Sequence, residues 1–345
     1  MIKLNNVHIT PEMLNIITEV DEFKGSWNAS KQQPEKYQHL KKIATIESIG
    51  SSNRIEGNTL TDKQVETVLA NLKKQSFASR DEQEVAGYAD LMENIFENYE
   101  VIPFNENYIK QLHKILLAYS SKDERHRGEY KTLANSVAAF DTSGKEIGIV
   151  FETATPFETP QLMRELIQET REQLEDKFIH PLIMVGLFVV HFLAIHPFQD
   201  GNGRMSRALT TLLLLKSGYL YVPYSSMESI IEENKASYYK ALRNSQKTFK
   251  TDEVNYDYWL NFFLRTVQKQ VVRLKQKMNQ ATTTLTLTET KIMALFDKQN
   301  QWVISAMVEV LNMNVATIKK AVGELVKKGY LQKNGTTRGA WYVRK

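Results

Sequence analysis

From Thr10 to about Tyr119, apolar residues recur at spacings of three and four, as in Val65, Val68, Leu69 and Leu72. This is the period of helices that bury one face. Thr61-Asp62-Lys63-Gln64 precedes that run as a helix start. The period breaks between Gly128 and Pro160. There Ser136-Val137-Ala138 and Ile147-Gly148-Ile149-Val150-Phe151, separated by Asp141-Thr142-Ser143-Gly144, predict a β-hairpin. Helical periodicity returns over 161–178, 181–195, 203–217 and 228–277. The Thr-rich stretch 282–288 then predicts a linker and a boundary near residue 280. Beyond it, helices are expected over 289–297, 303–311 and 314–328. Strands Gly329–Lys333 and Ala340–Arg344 follow, joined by Asn334–Gly339. That order is similar to a winged helix-turn-helix. The expected fold class is mainly α: a helical core with a short hairpin, plus the C-terminal winged helix.

The 345 residues exceed one ordinary domain. With 42% hydrophobic and 24% charged residues, the composition is that of a globular protein. The chain has no cysteine, which excludes disulfides and thiolate chemistry and fits a reducing compartment. Met1-Ile2-Lys3-Leu4-Asn5-Asn6 has no signal-peptide core, and the apolar stretch 181–198 is interrupted by His191 and His196. A cytoplasmic, membrane-free protein is expected. The net charge of +4 hides an asymmetry: residues 281–345 hold ten Lys/Arg against four Asp/Glu, so 1–280 carry −2. Any basic partner surface is C-terminal.

The chemistry concentrates between two apolar helices, in His196-Pro197-Phe198-Gln199-Asp200-Gly201-Asn202-Gly203-Arg204. Gly201-Asn202-Gly203 allows a turn whose N–H groups converge on an anion. Arg204 and Arg207 share a face of the following helix's first turns, where cations oppose the helix dipole. An anionic ligand removes that conflict. Pro197 ends the preceding helix at His196, whose neutral imidazole can take a proton from a hydroxyl. Asp200 adds a carboxylate suited to a magnesium ion that keeps several waters. A helical two-histidine metal site is excluded, because His191 and His196 are five apart and Asp200 lies past a proline.

The pattern His196-Pro197-Phe198-x-Asp200-Gly201-Asn202-Gly203-Arg204-x-x-Arg207 resembles, at every position, the signature of the Fic (filamentation induced by cAMP) family. The resemblance spans about Thr10 to Lys275. It implies an N-terminal helical region (1–110), a helical catalytic core (111–275) and, outside it, the winged-helix domain (281–345). The implied activity is transfer of AMP from ATP to a Ser, Thr or Tyr hydroxyl of a target protein. His196 would be the base and Asp200 the Mg2+ ligand. The Gly201–Gly203 backbone with Arg204 and Arg207 would hold the phosphates. The hairpin would be the flap that pins the target, with Val150, Phe151, Glu152 and Thr153 nearest the nucleotide. Tyr238, Tyr239 and Gln246 would enclose the adenosine. Gly128-x-Tyr130-Lys131 departs from the pattern, carrying Lys where members often have Arg.

Ser52-x-x-x-Glu56-Gly57 reads locally as a helix end with Gly57 near the cap. It also resembles the inhibitory motif of many Fic proteins, which implies that Glu56 reaches Arg207 in place of a γ-phosphate contact. In some members the same glutamate helps remove AMP. A phosphorylated or choline-bearing co-substrate is the alternative to ATP. In the C-terminal module, Thr317, Lys319 and Lys320 on helix 314–325 and Arg338 on the wing suit phosphate contacts, although such modules equally dock proteins or self-associate. A reading from a different class is a nucleotide-sensing transcriptional or toxin–antitoxin regulator binding DNA through 281–345. Catalysis needs His196; sensing does not.

Overall fold

The computed structural model describes the chain apart from residues 1, 31–36, 73–75, 141–145, 252, 284–285, 298, 336–339 and 345. Side chains of 136–140, 146–151 and 280–283 are also outside the description. The expected hairpin turn 141–144, Thr284, Leu285 and Arg338 therefore fall outside it, and Val150 and Phe151 are followed as backbone alone. The chain divides into two compact units, Met1–Arg273 and Leu274–Lys345. The division falls inside a helix, Asp257–Thr283, and not at the Thr-rich stretch expected to mark it.

The first unit is helical: α1 Pro11–Ala29, α2 Gln38–Ile55, α3 Asp62–Asn71, α4 Arg80–Asn98 and α5 Glu106–Leu116. The hairpin β1 Ser136–Phe140 and β2 Glu146–Glu152 follows, then α6 Thr159–Asp176, α7 Pro181–Ile195 and α8 Asn202–Lys216. After a 3-10 turn at Val222–Tyr224 come α9 Met227–Glu233, α10 Lys235–Gln246 and α11 Asp257–Thr283. Residues 228–277, expected as one helical run, thus form three helices. Asn234 ends α9, and a loop at 247–256 separates α10 from α11.

Two helices are buried almost all round. In α7, thirteen residues from Leu182 to Ile195 are buried, because its sequence is apolar on every face. A helix of that kind belongs in the centre of a bundle. It packs against α6, α8 and α10, and α8 in turn packs against α2, α4 and α5. The loop 196–201 joins these two central helices. The antiparallel hairpin pairs Ser136 with Glu152 and Phe140 with Glu146, with two register shifts between.

Local signals explain the helix starts. Thr10, Thr61, Ser79 and Asn105 each cap α1, α3, α4 and α5 by accepting the N–H of the residue three positions on. At Thr61 the bond is reciprocated by Gln64, a capping box.

The second unit holds α12 Leu287–Leu295, β3 Gln301–Val303, α13 Ile304–Leu311, α14 Val315–Lys327, β4 Leu331–Asn334 and β5 Trp341–Arg344. The sheet order is β3-β5-β4, antiparallel throughout. The third strand was not expected from sequence: Gln301-Trp302-Val303 is too short to show a period. Part of the Thr-rich stretch is structural, since Thr286 and Glu289 form the capping box of α12. Buried Glu289 also pairs with Lys328 at 2.8 Å. Ile292, Trp302, Met307, Ile318, Val322, Leu325 and Leu331 form this unit's own core. The fold is mainly α, with a hairpin and one small sheet.

Helices α4 and α5 meet at Gly87, where a Cβ would lie 2.0 Å from the Leu116 carbonyl oxygen. Backbone cannot yield there as a side-chain tip can. Gly87→Ala is expected to destabilise the chain by about 1–3 kcal/mol. Gly25→Ala, where nothing lies within 4 Å of the added carbon, is expected to be neutral or stabilising by up to about 1 kcal/mol. Urea unfolding of both variants checks this, and equal midpoints would contradict it.

Candidate active site

Helix α7 ends at His196, which takes a left-handed conformation, φ 53° and ψ 61°. A non-glycine residue there is held by its surroundings. Its Nδ1–H donates to the Leu193 carbonyl at 3.4 Å, which leaves Nε2 as the ring's acceptor. Loss of solvent around the ring, reinforced by the nearby Lys131 ammonium, pushes its pKa down to about 4. At neutral pH His196 is a neutral imidazole able to take a proton.

The loop beyond it is shaped by its own side chains. The buried Asn202 amide accepts from the Phe198 N–H at 2.9 Å and donates to the Phe198 carbonyl at 2.7 Å. Its side chain therefore closes the loop. Gly201 caps α8 with φ +80°, a value that favours glycine. Asp200 accepts the Gly201 N–H at 2.6 Å. Burial raises its pKa, but Arg204, this N–H, Lys122 and Arg80 outweigh that and hold the carboxyl below its ordinary range.

Arg204 and Arg207 are both buried, at 3% and 4% exposure. Arg204 lies 3.5 Å from Asp200 and 3.6 Å from Glu84, while its Nε and Nη1 lack a hydrogen-bond partner among the described residues. Arg207 donates from Nε to Ser52 Oγ and from Nη2 to the Ser52 carbonyl, each at 2.8 Å. Nη2 also lies 2.9 Å from Glu56 Oε1. Burial opposes its charge, yet Glu56 leads the charged groups that drive the pKa up. The Glu56 carboxylate covers Gly203 so closely that a Cβ on that glycine would stand 2.0 Å from Oε1. An acidic side chain thus occupies the start of α8, where the dipole and two arginines favour an anion.

Several contributors were not legible in sequence. His113 of α5 stacks on Phe198, ring centroids 3.8 Å apart and planes 7° apart. It accepts the Gly128 N–H at Nδ1 and, through Nε2, donates to the Asp200 carbonyl, both at 3.0 Å. Burial pushes its pKa down to about 4. Arg80, at the start of α4, reaches within 3.9 Å of Asp200 Oδ2 and pairs with Glu84 at 2.8 Å. Glu228, buried beside Arg207, has its pKa raised by burial. A lone His on an amphipathic helix and a charged first turn carry no sequence signal of this kind.

The remaining expected residues divide. Tyr238 lines the same small cavity as Arg207, Ser206 and Glu228, and burial pushes its pKa up to about 12. Tyr239 packs edge-on against it, centroids 5.1 Å apart. Gln246 is buried, its amide donating to the Val190 carbonyl of α7 at 3.3 Å. That bond commits Gln246 to packing α10 on α7. Exposed Glu152 pairs with Lys250 at 3.2 Å, while Thr153 turns inward to Lys131 and Asn135.

Residues 103–214 match the Fic/DOC family. The chain is 28% identical over 207 residues to the protein adenylyltransferase Fic of Drosophila grimshawi, covering 59% of this chain and 40% of that protein. A probable protein adenylyltransferase of Aquifex aeolicus is 31% identical over 100 residues, 29% of this chain and 28% of that protein. The chain thus spans well under half the length of these relatives. A Fic family protein from Desulfovibrio desulfuricans G20 shares the fold at TM-score 0.64 and 21% identity, over 99% of this chain and 98% of that one. A Fic domain containing signaling protein from Bacteroides thetaiotaomicron does so at 0.60 and 24%, over 75% and 95%. Among the described residues no helix is long and apolar enough to cross a membrane.

His113, His191 and His196 all have pKa values held below the ordinary 6.5, at about 4, 3 and 4. Unfolding restores ordinary values, so the unfolded chain binds more protons as pH falls below about 6.5. The stability is fully present above that pH and is lost as pH falls through the folded values. The urea midpoint is expected to drop steadily from pH 6.5 to 4.5; a flat profile over that window would contradict it.

Proposed function

We propose that this chain is an autoinhibited protein adenylyltransferase, transferring AMP from ATP to a hydroxyl side chain of a target protein. The observation that carries the reading is the Glu56 carboxylate lying on Gly203 and 2.9 Å from Arg207, an internal anion in a phosphate-shaped site. The names of its relatives favour transfer over mere nucleotide sensing.

In this reading the target hydroxyl oxygen attacks the α-phosphorus as its proton passes to His196 Nε2. The bond from that phosphorus to the bridging oxygen breaks, and pyrophosphate leaves. The Gly201–Gly203 backbone and Arg204, whose Nε and Nη1 make no hydrogen bond among the described residues, stabilise the charge on the transferred group. Arg207 takes the γ-phosphate once Glu56 withdraws, because carboxylate and phosphate compete for one guanidinium. Tyr238 and Tyr239 flank the nucleotide.

Mg2+ fits the donor set as an ion held chiefly by phosphate and water. Asp200 is a part-exposed carboxylate, and the described residues contain no cluster of three acidic, His or Cys ligands. When bound, the ion would neutralise phosphate charge at Asp200.

The hairpin would pair with the target segment as an added strand. We read the second unit as a winged-helix docking module for a target or a second copy. Its contact face would be the exposed side of α14, with Thr317, Lys319 and Lys320. Duplex DNA binding that survives His196→Ala would instead assign that face to DNA. A cytoplasmic site of action fits the absence of cysteine.

The test is transfer of label from α-labelled ATP with magnesium. Glu56→Gly is expected to raise labelling of the chain itself or of lysate proteins by at least about tenfold, and adding His196→Ala to return it to background. Equal labelling of parent and Glu56→Gly would sink the brake. No label from any variant would sink the transferase.

A further inference from the structure

Four consecutive carbonyls, from Ile195 to Phe198, run past the base of the proposed reaction, and two residues from one short segment hold all four. The Lys131 ammonium donates to the Ile195 carbonyl at 2.9 Å, and the Lys131 backbone N–H donates to the Pro197 carbonyl at 2.8 Å. The Asn135 amide donates to the Phe198 carbonyl at 2.9 Å and to that of His196 at 3.4 Å. The other bonds of the same two side chains lead to the hairpin. Lys131 donates to Asn135 Oδ1 at 2.8 Å and to Thr153 Oγ1 at 2.9 Å, and the Thr153 hydroxyl lies 2.7 Å from both Asn135 oxygens. Asn135 immediately precedes β1 and Thr153 immediately follows β2.

We propose that Lys131 and Asn135 are positioning residues that lock His196 and both ends of the hairpin into one body. The base and the strand proposed to lie along the target are then set together. The inference deepens the catalytic reading of His196 and rests on it.

Three properties favour this over a merely structural role. Lys131 is only 3% exposed, and its three ammonium protons meet three acceptors, the condition under which a buried cation is tolerated. The knot touches the backbone on both sides of a residue in a left-handed conformation, where an untethered chain would relax. The ammonium also opposes an imidazolium at His196, whereas Glu56 and Asp200, the other charged groups facing the ring, favour one. Glu158 in turn faces Lys131. Burial pulls the lysine pKa down to about 8, so it remains charged at neutral pH.

The test reads the ring itself and needs no turnover. In the 15N-histidine-labelled full chain, His196 is assigned by its loss in His196→Gln. The parent is expected to show the Nδ1–H tautomer and a midpoint well below 6.5. Lys131→Met is expected to mix the tautomers and raise the midpoint by about one pH unit. Lys131→Arg keeps the charge and is expected to keep the low midpoint. Asn135→Asp, which retains the lysine's acceptor but removes the amide donors, is expected to mix the tautomers even if Lys131→Met fails to fold. An unchanged tautomer and midpoint in either Lys131→Met or Asn135→Asp would overturn the proposal. In the Glu56→Gly background, Lys131→Met is expected to lower kcat for self-labelling by at least about tenfold with the ATP Kd within about twofold. Loss of ATP binding in step with kcat would also overturn it. Absence of labelling in Glu56→Gly itself counts against the transferase reading alone, because the imidazole spectra stand apart from it.

Discussion

The guanidinium of Arg207 is buried in the centre of a helical bundle, and a charge in that position has to be met by acceptors or an opposite charge. Stranding one member of a buried ion pair costs about 3–5 kcal/mol. Ser52 and Glu56, both from the end of α2, supply the acceptors and the charge. This demand draws the C-terminus of one helix onto the N-terminus of another 150 residues away in sequence. The end of α2 is fixed there by Arg54, which makes a two-pronged contact with Glu232 at 2.7 and 3.0 Å and a third with Asp62 at 3.0 Å. The Arg207 guanidinium is therefore met from within, and in the proposed reaction a γ-phosphate would have to displace a carboxylate that is already well placed. Glu56 is itself part-exposed, so water can follow its departure, while Arg207 cannot follow it out.

The loop between α7 and α8 owes its shape to four side chains that do no chemistry in the proposed reaction. Asn202 closes it across Phe198, His113 stacks beneath and holds the Asp200 carbonyl, and Lys131 with Asn135 tethers the carbonyls on its upstream side. Catalytic groups placed by packed, fully bonded neighbours lose little entropy at the moment of reaction. The arrangement also makes the loop sensitive to acid, since protonating His113 at Nδ1 would turn the acceptor of the Gly128 N–H into a second donor.

The expectation of an anion site rests on the nine residues from His196 to Arg204, with Arg207. Each requirement is local there: a proline that ends a helix, glycines that permit the turn, arginines three apart on one face. In the sequence, the approach of Glu56 to Arg207 is implied only by resemblance, and Gly57 follows the helix end with φ +100°. Periodicity likewise revealed the central helices, because α7 is apolar on every face and the capped starts of α1 and α3 use their own next residues. The third strand of the small sheet has no sequence signature, since three residues carry no period.

Other contributors became visible only when distant segments met. His113, Arg80, Glu84 and Glu228 lie on helices whose sequences are ordinarily amphipathic, and nothing within a turn of any of them distinguishes a group packed against the loop and its arginines from a solvated one. Gln246 shows the converse, a polar residue expected near the nucleotide whose amide is held by the Val190 carbonyl instead. Most of the helices, though not the division of 228–277 into three, and the turn-forming residues of the loop are readable along the chain, because those depend on contacts within a few residues. Which charges that loop would meet was decided by the packing of α2, α4, α5 and α9 around it, because Coulombic and hydrogen-bonding partners depend on distance in space and not along the chain.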